Sequence, residues 1–328
     1  MKGSNTSVVV AALLANAAIA GLKFLGFLVT GSASMLSETY HSLSDTGNQV
    51  FLLVGIRYGR REATPAHPFG YGKAQFFFSF LVTVLLFGIA GWASAREGYH
   101  ALVAAESGAP GVVERVHVLG TTFPGVYVNY AVLVGAVVFE GSALRKSVVR
   151  LRSLADQRGW ESFGQTLRET TDVTTLTAFT EDSVAVIGAL LALVGVALTE
   201  ATGNPVYDAL AALFIGLSLM GSALVLGWEI LHFLLGQSVP PERESRFRAE
   251  LEGMAGVRDV FDFRTVYFGP ESILVTADVA FDHDLTTGEV DRRIDDIEAR
   301  LQELESDVDR VYIEPELSTE DSDIVETT

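Results

Sequence analysis

Apolar residues in this chain gather into six stretches, 8–30, 37–56, 76–95, 126–143, 173–198 and 209–235, separated by polar connections. A helix of about 20 apolar residues crosses a bilayer core of roughly 30 Å, so the pattern predicts six transmembrane helices. The first stretch is long and no small-residue cleavage site follows it, which reads as an anchor and not as a removable signal peptide. Past residue 238 the periodicity changes. Helices are predicted over 241–254 and 287–305, and strands over 257–267, 273–281 and 308–313. In the middle strand Ile273, Val275 and Ala277 share one face, while Leu274 and Thr276 lie on the other. Two helices against a three-stranded sheet make a small α+β domain of ferredoxin-like αββαβ order. The expected fold is thus an all-α six-helix membrane domain over 1–238 and a cytoplasmic α+β domain over 239–317. A disordered acidic tail follows over 318–328. The stretch 103–125 reads as an irregular outer loop.

Charge refines this division. The net charge is −18, and the residues from Glu242 onward carry 25 acidic and 9 basic side chains, a net of −16. The membrane half is therefore nearly neutral, and the acidic balance argues against nucleic acid as a partner. Basic residues are lopsided across the connections. Arg57, Arg60, Arg61, Lys73, Arg145, Lys146, Arg150, Arg152, Arg158 and Arg168 lie on one side, against Arg96 and Arg115 on the other. That bias places both termini in the cytoplasm of a multi-pass protein, expected in the plasma membrane. The chain has no cysteine, which removes disulfide scaffolds, thiol catalysis and thiolate metal sites.

Ionisable residues inside the apolar stretches cost at least about 2.5–3.5 kcal/mol each and need a reason. In the second stretch Glu38, His41, Asp45 and Asn48 form one stripe at helical spacing, with His41 and Asp45 one turn apart. An imidazole nitrogen and a carboxylate oxygen at that spacing can converge on one ion, and N and O donors suit Zn²⁺, Fe²⁺ or Mn²⁺. The alternatives are an intramembrane His–Asp hydrogen bond or a wet helix end. In the fifth stretch Glu181 and Asp182 stand side by side, where two carboxylates call for a cation or protons nearby, unless the helix starts late. Lys23 either snorkels to the outer interface or neutralises a carboxylate. Glu140 is expected at the cytoplasmic interface beside Arg145, and Asn129 and Gln49 as interhelical hydrogen-bonding groups.

The runs GSASMLSETYHSLSDTGNQ (31–49), HPFGYGKAQ (67–75), TEDSVAVIG (180–188) and GNPVYDALAALFIG (203–216) resemble the cation diffusion facilitators, in matching order along the chain. The resemblance implies a homodimeric exporter of divalent metal in exchange for protons. It has no cofactor besides the transported ion, Zn²⁺ or Fe²⁺ first and Mn²⁺, Co²⁺ or Cd²⁺ after. The site it implies joins His41 and Asp45 to Asp182. The family's other fifth-helix ligand is replaced by Ala178, leaving Glu181, a water or Asn16 as the fourth. Accessory sites look degraded: His67 remains, but its expected companions are Thr64 and Tyr71. In the soluble domain Phe261 and Tyr312 stand where histidines are expected, with Glu314 the carboxylate left. His232 and His283 read as solvated or snorkelling side chains. Two rivals from other classes are an intramembrane metal-dependent hydrolase, for which no HExxH or nucleophile motif is present, and a transport-inactive sensor or scaffold. Neither competes well, so no enzyme is expected.

Overall fold

The computed structural model describes residues 4–107, 115–118, 121–170 and 172–316, and each apolar stretch falls within a helix. Helix α1 is Ser4–Thr30 and α2 is Ala33–Gly59. A third long helix runs as α3, Lys73–Leu85, then a π-helical turn, Leu86–Gly91, then α4, Trp92–Glu106. The outer loop is not irregular throughout: β1, Arg115–Val118, pairs antiparallel with β2, Thr121–Pro124. Its Val116, Val118, Thr121 and Thr122 favour extended backbone, a signal too short to stand out beside the apolar runs. Next come α5, Gly125–Arg158, and the short α6, Phe163–Glu169, which opens with the Ser162 hydroxyl accepting from the Gln165 amide. Helices α7, Val173–Thr202, and α8, Val206–Leu235, complete the membrane set.

Among the described residues, four helices are long and apolar enough to cross a membrane: Lys73–Glu106, Gly125–Arg158, Thr175–Thr202 and Val206–Leu235. The apolar part of α1 over its described side chains, Asn16–Thr30, is shorter. Helix α2 is too polar to qualify, and the reason is chemical: its buried residues include Glu38, His41, Asp45, Asn48 and five hydroxyl side chains.

The chain divides into two compact units. The first comprises Phe78–Ile230 with the chain up to Gly55. Its apolar core gathers Met35, Leu86, Leu133, Ala192, Ile215 and Leu219 from α2, the π turn, α5, α7 and α8. Small residues let helices touch: Gly98 of α4 lies on the backbone at Ala212 and Leu213 of α8, and Gly216 of α8 lies on the backbone of Ala95. A Cβ at either glycine would overlap the partner's main chain, the close approach that small residues permit between membrane helices.

The second unit comprises Ile56–Phe77 and the chain from Leu231 onward. It contains α9, Pro241–Glu252; β3, Val257–Gly269; β4, Ser272–Phe281; α10, Thr287–Leu304; and β5, Val308–Pro315. The sheet order is β3-β4-β5, with β3 antiparallel and β5 parallel to the central strand. The expected αββαβ order is present, and Ile273, Val275 and Ala277 are buried on one face of β4. Phe247 and Leu251 of α9 and Ile297 and Leu301 of α10 supply the other layer. The start of α10 is fixed by Glu289, whose carboxylate accepts from the Thr286 amide and hydroxyl at 2.8 and 2.7 Å. Those two bonds hold its carboxyl below the ordinary range. The connection between α2 and α3 packs into this unit: the Phe69 ring lies tilted against Phe268 at 5.0 Å, Lys73 lies over the Phe268 ring, and Gly72 presses on the backbone of Phe268 and Gly269. The acidic tail over 318–328 lies outside the described residues.

Leu301 is fully buried beneath the sheet, and truncating such a leucine costs about 2–5 kcal/mol. Leu301→Ala is therefore expected to raise amide hydrogen exchange across α10 and β5 of the full-length protein, with the membrane helices unchanged. An unaltered exchange pattern would show that α10 is held by something other than this face.

Candidate functional site

Helix α2 carries the site, and its start is fixed from another helix. Gly31, at φ 70°, ends α1 in the left-handed conformation that glycine adopts freely. The first turn of α2 then leaves amides without intrahelical acceptors. Asp208, buried in the first turn of α8, supplies them: Oδ2 accepts from the Ala33 amide at 2.7 Å and the Ser34 amide at 3.5 Å. The Ser32 hydroxyl donates to Oδ1 at 2.9 Å, and the Ser34 hydroxyl donates to the same oxygen. A carboxylate at a helix N-terminus also meets the positive end of its dipole.

From that anchored end the polar stripe runs down one face of α2. His41 and Asp45 are buried, with Nε2 3.5 Å from Asp45 Oδ2, too far for a good hydrogen bond. Neither ring nitrogen, nor Asp45 Oδ1, nor Asn48 Oδ1 has a hydrogen-bond partner. Buried polar atoms are ordinarily satisfied, so these four orphans, with Glu38 Oε1 a fifth on the same stripe, are an unusual concentration of unsatisfied polar atoms. Across from them, α7 contains both carboxylates well inside its length, not at a late start. The pair diverges, as adjacent positions about 100° apart must. Glu181 turns to α2, where its Oε1 accepts from Asn48 Nδ2 at 2.7 Å, while Asp182 accepts from Ser147 Oγ of α5 at 3.0 Å. Asp45 lies in the electrostatic field of Glu181, Glu140, Lys23 and Asp182. Among the described residues no three His, Asp or Glu side chains converge closely enough to enclose an ion. His41, Asp45, Glu181 and Asp182 thus occupy facing helices, each of the last two engaged by a neutral partner.

Next to the stripe one sequence alternative is decided and one expectation corrected. Lys23 does not snorkel but meets a carboxylate, the other reading: it is fully buried, 2.8 Å from Glu38 Oε2 and 2.8 Å from Ser42 Oγ. Glu140 is not interfacial beside Arg145: it is buried, with Oε1 3.5 Å from the same ammonium. The apolar pattern hid this because a charge at one position in a helix says nothing of which neighbour it meets. Asn129 does bridge helices, its Oδ1 accepting from Thr30 Oγ1 at 2.9 Å, and Gln49 is half-buried. Sequence reasoning grouped Asp182 with His41 and Asp45 without its bond to Ser147, and assigned no role to Asp208 or Ser147. The signal available was a polar residue in an apolar run, common to many positions.

The accessory positions hold aromatic contacts. The exposed His67 ring lies 4.4 Å from that of Tyr71, whose hydroxyl is 3.3 Å from that of Thr64. Tyr312 is 49% exposed and meets Phe69 edge-on, Phe261 is half-buried, and Glu314 is exposed. His283 hydrogen-bonds Arg258, and His232 is exposed near the end of α8. Asn16 is half-buried on α1, and Ala178 is half-buried on α7.

With this geometry in hand, residues 9–235 match the family model described as the cation efflux transmembrane domain. The human mitochondrial proton-coupled zinc antiporter SLC30A9 is 33% identical over 298 residues, 91% of this chain and 50% of its own length. Metal tolerance protein C4 of Arabidopsis thaliana is 27% identical over 279 residues, 83% of this chain and 56% of its own. The cation-efflux pump FieF of Escherichia coli O139:H28 is 27% identical over 249 residues, 76% of this chain and 72% of its own. The chain spans about half the length of the two eukaryotic relatives.

Removing the Asp208 carboxylate leaves buried amides and hydroxyls without acceptors, which costs about 1–3 kcal/mol. Asp208→Ala is expected to lower the thermal unfolding temperature of the purified protein, and Asp208→Asn, which keeps one acceptor oxygen, to lower it less. Equal stability of all three proteins would show that the α8 carboxylate does not hold α2.

Proposed function

The chain belongs to the cation efflux family, and from that premise we propose that it exports divalent metal ions across a membrane by exchange for protons. One observation supports this above the others: the orphaned donor atoms of His41, Asp45 and Asn48 on a buried stripe of α2, opposite Glu181 of α7. Membership of this family also makes it a transporter and not an enzyme, which sets the hydrolase reading aside. Aromatic contacts at His67 and Tyr312 speak against a sensor built on those accessory positions.

In the proposed cycle the cargo is taken up at His41 and Asp45, whose imidazole nitrogen and carboxylate oxygens match the preferences of Zn²⁺. Glu181 joins by exchanging its Asn48 hydrogen bond for the ion, and Asp182 by leaving Ser147. Anionic oxygens offset the lost hydration of a divalent ion, which neutral donors do less well. When the site opens to the other side, protons compete for the same lone pairs and the metal leaves, because metal ligands must be deprotonated to bind. Histidine suits this exchange, since its unperturbed pKa of about 6.5 lies close to physiological pH. A relative named as a zinc antiporter supports zinc as the first cargo to test, with Fe²⁺ as its competitor. The ten-to-two bias of basic residues supports both termini on the side from which metal is taken. A homodimer in the plasma membrane is part of the same reading.

Proteoliposomes holding a pH-sensitive dye, given Zn²⁺, Fe²⁺, Mn²⁺, Co²⁺ or Cd²⁺ outside, test it directly. His41→Ala and Asp45→Ala are expected to reduce metal flux and the accompanying proton movement to the level of protein-free liposomes. Comparing Glu181→Gln with Asp182→Asn identifies which α7 carboxylate is the ligand. Wild-type flux in both the His41 and Asp45 variants would overturn the proposed site.

A further inference from the structure

The cluster around Lys23 holds one carboxylate more than its ammonium can balance. Glu38 is the close partner, at 2.8 Å, with both side chains fully buried. Its other oxygen, Oε1, has no hydrogen-bond partner and faces Gly188 of α7, where even an added Cβ would come within 2.5 Å. Glu38 is therefore fixed on three sides, by α1, α7 and its own helix. Glu140 of α5 is the looser member, 3.5 Å from Lys23 and with 10% of its side chain exposed. With Lys23 paired to Glu38, an ionised Glu140 is a surplus negative charge inside the bundle, which proteins avoid by neutralising the group. A proton on Glu140 makes the cluster electrically complete.

The charges facing Glu140 are Lys23 from α1 and Glu38 from α2, with Asp45 of α2 and Asp182 of α7 beyond them. No described hydrogen bond or ion pair joins Glu140 to His41, Asp45, Glu181 or Asp182, so it is distinct from the proposed metal ligands. It does share their field. A divalent ion arriving at Asp45 adds positive charge that favours an ionised Glu140, and its departure favours the acid.

We propose that Glu140 is a separate proton-carrying site, which releases its proton when metal loads and regains it when metal leaves. The step breaks and forms only the carboxyl O–H bond, with water as the acceptor of the released proton and the donor of the returning one. This rests on the metal–proton exchange proposed above, and adds to it a proton not carried by the metal ligands.

The test measures zinc uptake and proton efflux together in proteoliposomes. For Glu140→Gln the protons moved per zinc are expected to fall by one, whatever the zinc rate, and a diffusion potential set with potassium and valinomycin is expected to affect transport more strongly. The same drop is expected in protons released per zinc bound, measured by calorimetry in buffers of different ionisation enthalpy. Glu140→Asp keeps a carboxyl on a shorter stem. It is expected to retain the wild-type ratio while shifting the pH midpoint of flux, and it serves alone should the glutamine variant not fold. A wild-type ratio in Glu140→Gln, or an unmoved midpoint in Glu140→Asp, overturns the Glu140 site. Zinc flux without proton movement in the wild type would instead refute the exchange reading itself.

Discussion

A helix that buries two carboxylates, a histidine and an asparagine along one face cannot present that face to lipid. Each such group left unpaired in hydrocarbon costs several kcal/mol, so neighbouring helices must cover α2 and supply its partners. The membrane unit is organised around this requirement. Asp208 of α8 satisfies its first turn, Lys23 of α1, itself 3.5 Å from Glu140 of α5, meets its next turns, and Glu181 of α7 meets Asn48. Four helices therefore depend on one polar stripe for their positions, and the stripe depends on them for its solvation.

The two kinds of polar group on α2 are treated differently. Glu38 and Ser42 are tied to Lys23, with Glu38 Oε1 left over against Gly188, whereas His41 and Asp45 have no such charged partner held at hydrogen-bond distance. Spare capacity at the second pair and charge pairing at the first, within about two turns of helix, separate what must stay fixed from what must exchange. Ser147 and Asn48 extend the same logic to α7, since each holds a carboxylate through one neutral hydrogen bond that a cation can outcompete.

Much of the architecture was legible in the residues because bilayer thickness and strand alternation impose simple periods. The six apolar runs, the αββαβ order and the inward face of Ile273, Val275 and Ala277 all follow from spacing alone. Pairings between distant helices do not follow from spacing. Between Lys23 and Glu140 in sequence lie α2, α3 and α4, and nothing local tells a snorkelling lysine from one that meets a carboxylate. The adjacent Glu181 and Asp182 raised the same difficulty: their chemistry was evident, but the direction each takes depends on Asn48 and Ser147. The β1–β2 hairpin was missed because four-residue strands give too few alternations to register.

The contact of α4 with α8 sets a mechanical limit. Where Gly98 and Gly216 bring main chain against main chain, no layer of side chains remains to slide or repack. The two helices consequently share their degrees of freedom and move as one stiff rod pair. Because Asp208 begins α8 and grips the start of α2, any displacement of that pair pulls on the helix that bears His41 and Asp45.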